Sequence, residues 1–414
     1  PLRGRLGPET FTTWRRWAAH QGQRGATVAA MSVYLDHAAT TPLDPGVLAA
    51  MRPYLEAGFG NPSSRHAPGR LARAAVESAR EQVAEALGVA PLEVLFTSGG
   101  TEADNQAVKG IAWASREAGR GAHLVTTAIE HHAVIESCEW LAAHQGFALT
   151  VVPPQPDGVV DAERLLASVR ADTVLVSVMA ANNELGTIQP LDVIGPVLAE
   201  RGVPLHSDAV QAFGRAPLEL DDWGVGALAL SAHKFNGPKG VGVLVLRRDL
   251  AAHSVLHGGG QERGVRSGTL NTAGIVGCGA AAALTASTMD VEVPRLRALR
   301  DRLLEGLLAV EGVDLNGSPQ RRLPHNAHVA VAGCDGEALL LLLDAAGVGV
   351  STGSACQSGA AEPSHVLVAI GAPTDRAQLR FTCGRTTTGA DIDAALQAFL
   401  SCVKRLRDAG GGFA

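Results

Sequence analysis

Between about residue 68 and residue 250, short apolar runs alternate with stretches of helical period. The apolar runs predict strands at Val94–Ser98, His123–Thr127, Leu149–Val152, Thr173–Met179, Val203–Ser207, Ala227–Ser231 and Val241–Leu246. Gly69–Leu87 and Asp161–Arg170 are among the helical stretches between them. Strands separated by helices imply an α/β fold with a mainly parallel seven-stranded sheet. Ligands on such sheets bind beyond the carboxyl ends of the strands. After residue 288 the pattern changes. Val293–Val310 carries Leu296, Leu299, Leu303 and Leu307 at helical spacing. A strand at His328–Val331, a helix at Gly336–Ala346, a loop near Gly353 and a helix from Gly389 follow. These elements predict a large domain over 46–288 and a smaller α+β domain over 289–414, completed by segment 31–45.

At 414 residues the chain exceeds one ordinary core, which fits two domains. A chain that is 46% hydrophobic and 18% charged is globular rather than disordered. A net charge of -6 without a basic stripe argues against direct nucleic-acid binding. The pattern shows no run of membrane-spanning length, so no membrane partner is expected. Six cysteines at 138, 278, 334, 356, 383 and 402 have no metal-ligand spacing. No metal and a reducing, cytoplasmic location are expected. Residues 1–30 hold five arginines against the single acid Glu9 and no apolar signal core. They read as an extension outside the fold.

Candidate chemistry begins with Lys234, in Ser231-Ala-His-Lys-Phe-Asn-Gly-Pro-Lys-Gly240 after a predicted strand. Only four of the 35 basic residues are lysines. An amine, unlike a guanidinium, can lose its proton and form a Schiff base with an aldehyde. Pyridoxal phosphate uses that chemistry, and needs a carboxylate for its ring nitrogen and a cradle for its phosphate. Asp208, in His206-Ser-Asp-Ala-Val-Gln211, ends another predicted strand; alone it is more often a turn or cap residue, and its position before Lys234 shifts the reading toward the ring nitrogen. Gln211 lies near enough to touch a ring hydroxyl. Phe96-Thr-Ser-Gly-Gly-Thr-Glu-Ala-Asp-Asn105 is a strand, a glycine turn and a helix start, suited to an anion or simply capped by Thr101.

Glu130-His131-His132 follows a strand, where His131 can stack on a ring and move protons; a paired-histidine metal site or a solvated loop is the alternative. Asn183 reaches the same sheet edge. The loop His257–Thr269, with Arg263, Arg266 and Thr269, suits a phosphate or a subunit contact, with disorder the alternative. Cys356 lies among Ser, Gly and Ala, a context for a working thiol or for an incidental loop cysteine. Arg380 can fork onto a carboxylate or form a surface salt bridge.

Nine segments carry a family resemblance in order. They are Tyr34–Pro42, Gly60-Asn-Pro-Ser-Ser64, Thr97–Glu102, Glu130-His131, Asn182–Gly186, His206–Gln211, Ser231–Gly240, His257–Thr269 and Gly353–Cys356. Together they resemble the cysteine desulfurases, the NifS/IscS-like group of the class V aminotransferases. The resemblance covers about Tyr34 to Leu406 and implies a fold-type I pyridoxal phosphate-dependent transferase. It implies that Lys234 carries the cofactor, Asp208 pairs with the ring nitrogen and Gln211 with the ring hydroxyl, and His131 stacks on the ring. Gly100, Thr101, Ser231 and His233 would hold the phosphate. Thr269 would reach the phosphate of a neighbouring subunit, implying a homodimer. Asn61, Asn183 and Arg380 would place the substrate carboxylate. Cys356 would take sulfur from L-cysteine as a persulfide, releasing alanine, and pass it to an iron–sulfur scaffold or a thiolation enzyme. A selenocysteine lyase, another class V lyase, an aminotransferase or a non-catalytic scaffold on the same cradle is the alternative.

Overall fold

The computed structural model describes residues 33–353 and 364–410. The chain enters through β1 (Val33–Tyr34) and α1 (Pro45–Glu56), whose start is fixed by Asp44 accepting the Gly46 and Val47 N–H groups. Next comes α2 (Ala67–Leu87), which stops at Gly88 in the left-handed conformation. The alternating pattern then appears as β2 (Val94–Thr97), α3 (Gly100–Glu117), β3 (His123–Thr127), α4 (His132–Gln145), β4 (Ala148–Val152) and α5 (Ala162–Ala167). It continues as β5 (Thr173–Ser177), α6 (Leu191–Glu200), β6 (Leu205–Asp208), β7 (Val225–Ser231) and β8 (Gly242–Leu246).

These strands form a seven-stranded sheet in the order β2-β8-β7-β6-β5-β3-β4. All neighbours from β7 to β4 pair in parallel. β8 is antiparallel to both β7 and β2, so β2 points the same way as β7. Every residue of β2, β3, β5, β6 and β8 is buried, because helices cover both faces of such a sheet. That burial is why these strands read as continuous apolar runs. The edge strand β4 is partly exposed.

The sequence pattern predicts a helix from Val293. The structure instead has one 37-residue helix, α7 (Thr272–Leu308), with Pro294 inside it. Its first half is dominated by Ala, Gly and Thr, with only Ile275, Val276, Leu284 and Met289 as larger apolar residues, and shows no apolar stripe. Small residues are what the packing needs: a Cβ on Gly277 would lie 2.6 Å from Met51 of α1, and one on Gly279 2.7 Å from Ala79 of α2. By length and composition part of α7 could cross a membrane, unlike the expectation from the pattern. More than half of that stretch, 56%, is buried in the fold, as in a core helix.

The rest of the chain adds β9 (Val313–Leu315), β10 (Asn326–Val331), α8 (Gly336–Ala345), β11 (Val348–Gly349), α9 (His365–Ala369), β12 (Ala377–Thr382) and α10 (Gly389–Gly410). β12, β10 and β9 form an antiparallel sheet. β1 pairs in parallel with β11, and Asp36 bridges to Thr382. Val33 and Leu35 share an apolar cluster with β10, β12, α10 and the second half of α7. Two other clusters fill the faces of the large sheet. α9 packs on one of these through Val366 and Leu367, although it is distant in sequence.

Candidate active site

The carboxyl ends of β2, β3, β5, β6 and β7 meet at one edge of the sheet. A cavity of about 970 Å³ opens there. Its wall takes Gly100 and Thr101 from beyond β2, His131 from beyond β3, Asn183 from beyond β5, Asp208 and Gln211 from β6 and its turn, and Ser231, His233 and Lys234 from β7 and its turn. Arg380 of β12 and Gly353 close it from the other side.

Lys234 follows β7 on a single tight turn. Its Nζ donates to the carbonyls of Ala38 (2.6 Å) and Ala39 (2.9 Å). The segment Leu35–Pro42 is therefore part of the site. It is pinned there by Gln211, whose Nε2 donates to Ala38 O at 2.9 Å, and by Thr41, whose hydroxyl donates to His233 O at 2.8 Å. Gln211 Oε1 is buried with no partner among the described residues. The buried Arg215 donates to Lys234 O at 2.8 Å and fixes the turn from behind.

Asp208 is the last residue of β6, and its Oδ1 accepts the Val210 N–H at 2.9 Å. Burial raises its carboxyl, while His131 and Lys234 pull it down. Ligand-type atoms of Asp208, Asp104 and His131 lie within 4.8 Å of one another. Burial holds Asp104 well above the usual carboxylate range, and the neighbouring Asp208 and Glu130 add to the effect. Glu130 is pushed by burial to about 8, against hydrogen bonds from Met179 N–H and the Thr127 hydroxyl. Behind Asp208, burial drives His206 down to about 3, so it is neutral; its Nδ1 meets the Ser177 hydroxyl at 2.8 Å.

His131 caps α4, its Nδ1 accepting the Ala133 N–H at 3.1 Å, which places the proton of the neutral ring on Nε2. Burial lowers its pKa. His132 also lines the cavity but pairs with Glu136 at 3.2 Å, so the two adjacent histidines hold different partners. The cap of α3 is Gly99 rather than Thr101, which leaves Thr101 in the cavity wall. His233, pushed down to about 4 by burial and by Lys234 and Lys239, meets the Thr40 hydroxyl at 3.0 Å.

Arg380 is 2% exposed, so a surface salt bridge is ruled out. Its Nη2 donates to Asp36 at 2.8 Å and its Nη1 to Asn183 O at 2.8 Å. Its Nε is buried with no hydrogen-bond partner among the described residues.

The sequence matches the family described as aminotransferase class-V over residues 33–395. It is 50% identical over 383 residues to an IscS-like cysteine desulfurase of Mycobacterium tuberculosis, covering 91% of this chain and 97% of that one. It is 46% identical to a cysteine desulfurase IscS of Methanosarcina thermophila, covering 91% and 93%. Among solved structures it superimposes on a NifS-like protein with a TM-score of 0.83 at 36% identity, covering 90% of this chain and 99% of that one.

The chain belongs to the class V aminotransferases. Its fold is the one that this family uses, and the sheet edge carries the cavity. Two residues expected in the site are not in that cavity. Asn61 is exposed, and its Oδ1 accepts the Ser63 N–H at 2.9 Å. Thr269 is exposed on the glycine-rich loop and is not among the residues that line the cavity of its own chain. Cys356 lies outside the described residues. The other five cysteines carry no disulfide, and burial raises Cys278 and Cys383 to about 12, which leaves them poor nucleophiles. Asp36, Asp104 and Glu130 were missed as site residues. Asp104 lines the cavity, Asp36 holds Arg380 and Glu130 lies near Asp104 and Asp208; their only signal was their place inside quoted motifs.

Proposed function

We propose that this chain is a pyridoxal phosphate-dependent cysteine desulfurase, which takes sulfur from L-cysteine and leaves L-alanine. The observation that carries the reading is the convergence of Lys234, the buried Asp208 and the Gly100–Thr101 turn on one cavity. The residues present fit the cofactor. A Cβ on Gly100 would lie 2.9 Å from Val210, so that turn stays open only as glycine. Gln211 Oε1, buried with no partner among the described residues, would accept a donor such as a ring hydroxyl. When bound, pyridoxal phosphate supplies an aldehyde for amines and a ring that accepts electrons.

Lys234 would hold that aldehyde and, once freed by the substrate amine, take and return the Cα proton. Asp208, whose carboxyl burial raises while His131 and Lys234 draw it back down, would pair with the ring nitrogen and keep it protonated. Gly100, Thr101, Ser231 and His233 would hold the phosphate, and His131 would cover the ring. Arg380 and Asn183 would bind the substrate carboxylate. The Cys356 thiolate would attack the substrate sulfur. The C–S bond breaks, its electron pair stays with the carbon fragment that becomes alanine, and the sulfur remains on Cys356 as a persulfide. An iron–sulfur scaffold or a thiolation enzyme would then accept it. We also assign the enzyme to the cytoplasm as a homodimer, with a large unit over 46–288 and a small one over 289–414 joined by 31–45.

The test is sulfide and alanine formation from L-cysteine with a thiol reductant, for the parent and for Cys356→Ala. Both products from the parent and neither from a variant that still binds pyridoxal phosphate support the reading. Full activity in the variant, or alanine only from selenocysteine, overturns the persulfide step in favour of a lyase.

A further inference from the structure

The loop His257–Thr269 leaves ordinary backbone at one place. Glu262, Arg263 and Gly264 follow one another with φ of +45°, +59° and +79°. Glycine enters that region freely; a side chain with a Cβ does not. Two successive non-glycine residues there need something to hold them, because the strain would otherwise relax.

The holder is a buried ion pair. The Glu262 side chain is 1% exposed. Arg80 of α2 donates through Nη1 to its Oε2 and through Nη2 to its Oε1, both at 2.8 Å. The Phe96 N–H of β2 adds a third bond to Oε2 at 2.7 Å. Arg80 Nη1 also donates to Val94 O at 2.7 Å, and the guanidinium lies 5.0 Å from the centre of the Phe96 ring. A carboxylate held this way cannot leave without burying an unpaired charge. Further along, Arg266 donates to Glu102 at 2.6 Å, and Gly268 N–H to Gln261 Oε1 at 2.8 Å. Asn271 then caps α7. Thr269 is exposed between these anchors.

We propose that Arg80 and Glu262 are positioning residues: they lock the left-handed turn and so present Thr269 to the phosphate site of a second copy. The proposal deepens the function above and rests on the reading of Thr269 as a residue that crosses between subunits. Neither Arg80 nor Glu262 touches the cavity of its own chain.

Two measurements on the full-length chain test it. The first is hydrogen exchange of the cofactor-free protein carrying Glu262→Gln. Faster exchange confined to 257–269 is expected; unchanged exchange there overturns the clamp. The second is the dissociation constant for pyridoxal phosphate, read by absorbance, for Glu262→Gln, Thr269→Ala and the double variant. Each single change is expected to weaken binding about tenfold, with the double variant no weaker than either, because the clamp acts through Thr269. Losses that multiply in the double variant overturn the positioning role alone. A Thr269→Ala chain that binds like the parent overturns the subunit-crossing reading, and the proposal with it. Should Glu262→Gln not fold, Arg80→Lys serves in both measurements, since it keeps the charge and loses the fork.

Discussion

Arg380 shows how one side chain can serve packing and chemistry together. Two of its nitrogens are spent on Asp36 and on the Asn183 carbonyl, while Nε has no partner among the described residues. Lysine keeps the charge and loses the planar fork, so Arg380→Lys is expected to raise KM for cysteine about tenfold with a smaller change in kcat. Steady-state kinetics check this. His206 offers a test of burial. Its folded pKa is about 3, against an ordinary value of 6.5, so the unfolded chain binds its proton first. Stability from this residue is complete above pH 6.5 and is lost as pH falls toward the folded value. Compared with His206→Asn, the parent is expected to lose about 2 kcal/mol more between pH 7 and pH 5. Urea unfolding of both proteins at both pH values measures the difference.

At the level of elements, the Gly99–Gly100 turn depends on a neighbour that the sequence does not advertise. Gly242 opens β8, and a Cβ there would stand 2.4 Å from the Gly99 carbonyl carbon. Backbone atoms cannot step aside as a flexible side chain can. Gly242→Ala is therefore expected to cost about 1–3 kcal/mol and to weaken pyridoxal phosphate binding by displacing the turn. Urea midpoints and an absorbance titration report the two effects. The predicted strands agree with the observed ones to within about two residues at each end, apart from small shifts where a strand runs into its loop. α7 escaped its prediction for the opposite reason: a helix face of alanines and glycines packs by close approach and carries no apolar period.

For the whole molecule, the site depends on parts far apart in sequence. Ala38 and Ala39 meet Lys234, Asp36 meets Arg380, and Arg80 meets Glu262. The exposed surface is also uneven: Leu55 (62%), Phe59 (89%) and Leu71 (71%) stand open on α1, its following turn and α2. A homodimer would cover such side chains. The parent is expected to sediment as a dimer, and Phe59→Asp with Leu71→Asp to shift it toward monomer with loss of bound cofactor. Analytical ultracentrifugation, with absorbance following the cofactor, checks both.

Sequence alone determined the class of the fold, because strands buried on both faces must be apolar throughout and turns at their ends must carry glycine and polar residues. It also determined the main chemical parts, since a lysine, an aspartate and a glycine turn at strand ends have few other uses together. Tertiary structure decided which of those parts meet. It brought Leu35–Pro42 against Lys234, set Asp104 and Glu130 behind Asp208, left Asn61 outside the cavity and fixed the Glu262 turn. Apart from the placing of Asn61, each of these is a contact across a long separation in the chain. Local periodicity records which side of an element is buried, but not which distant element buries it.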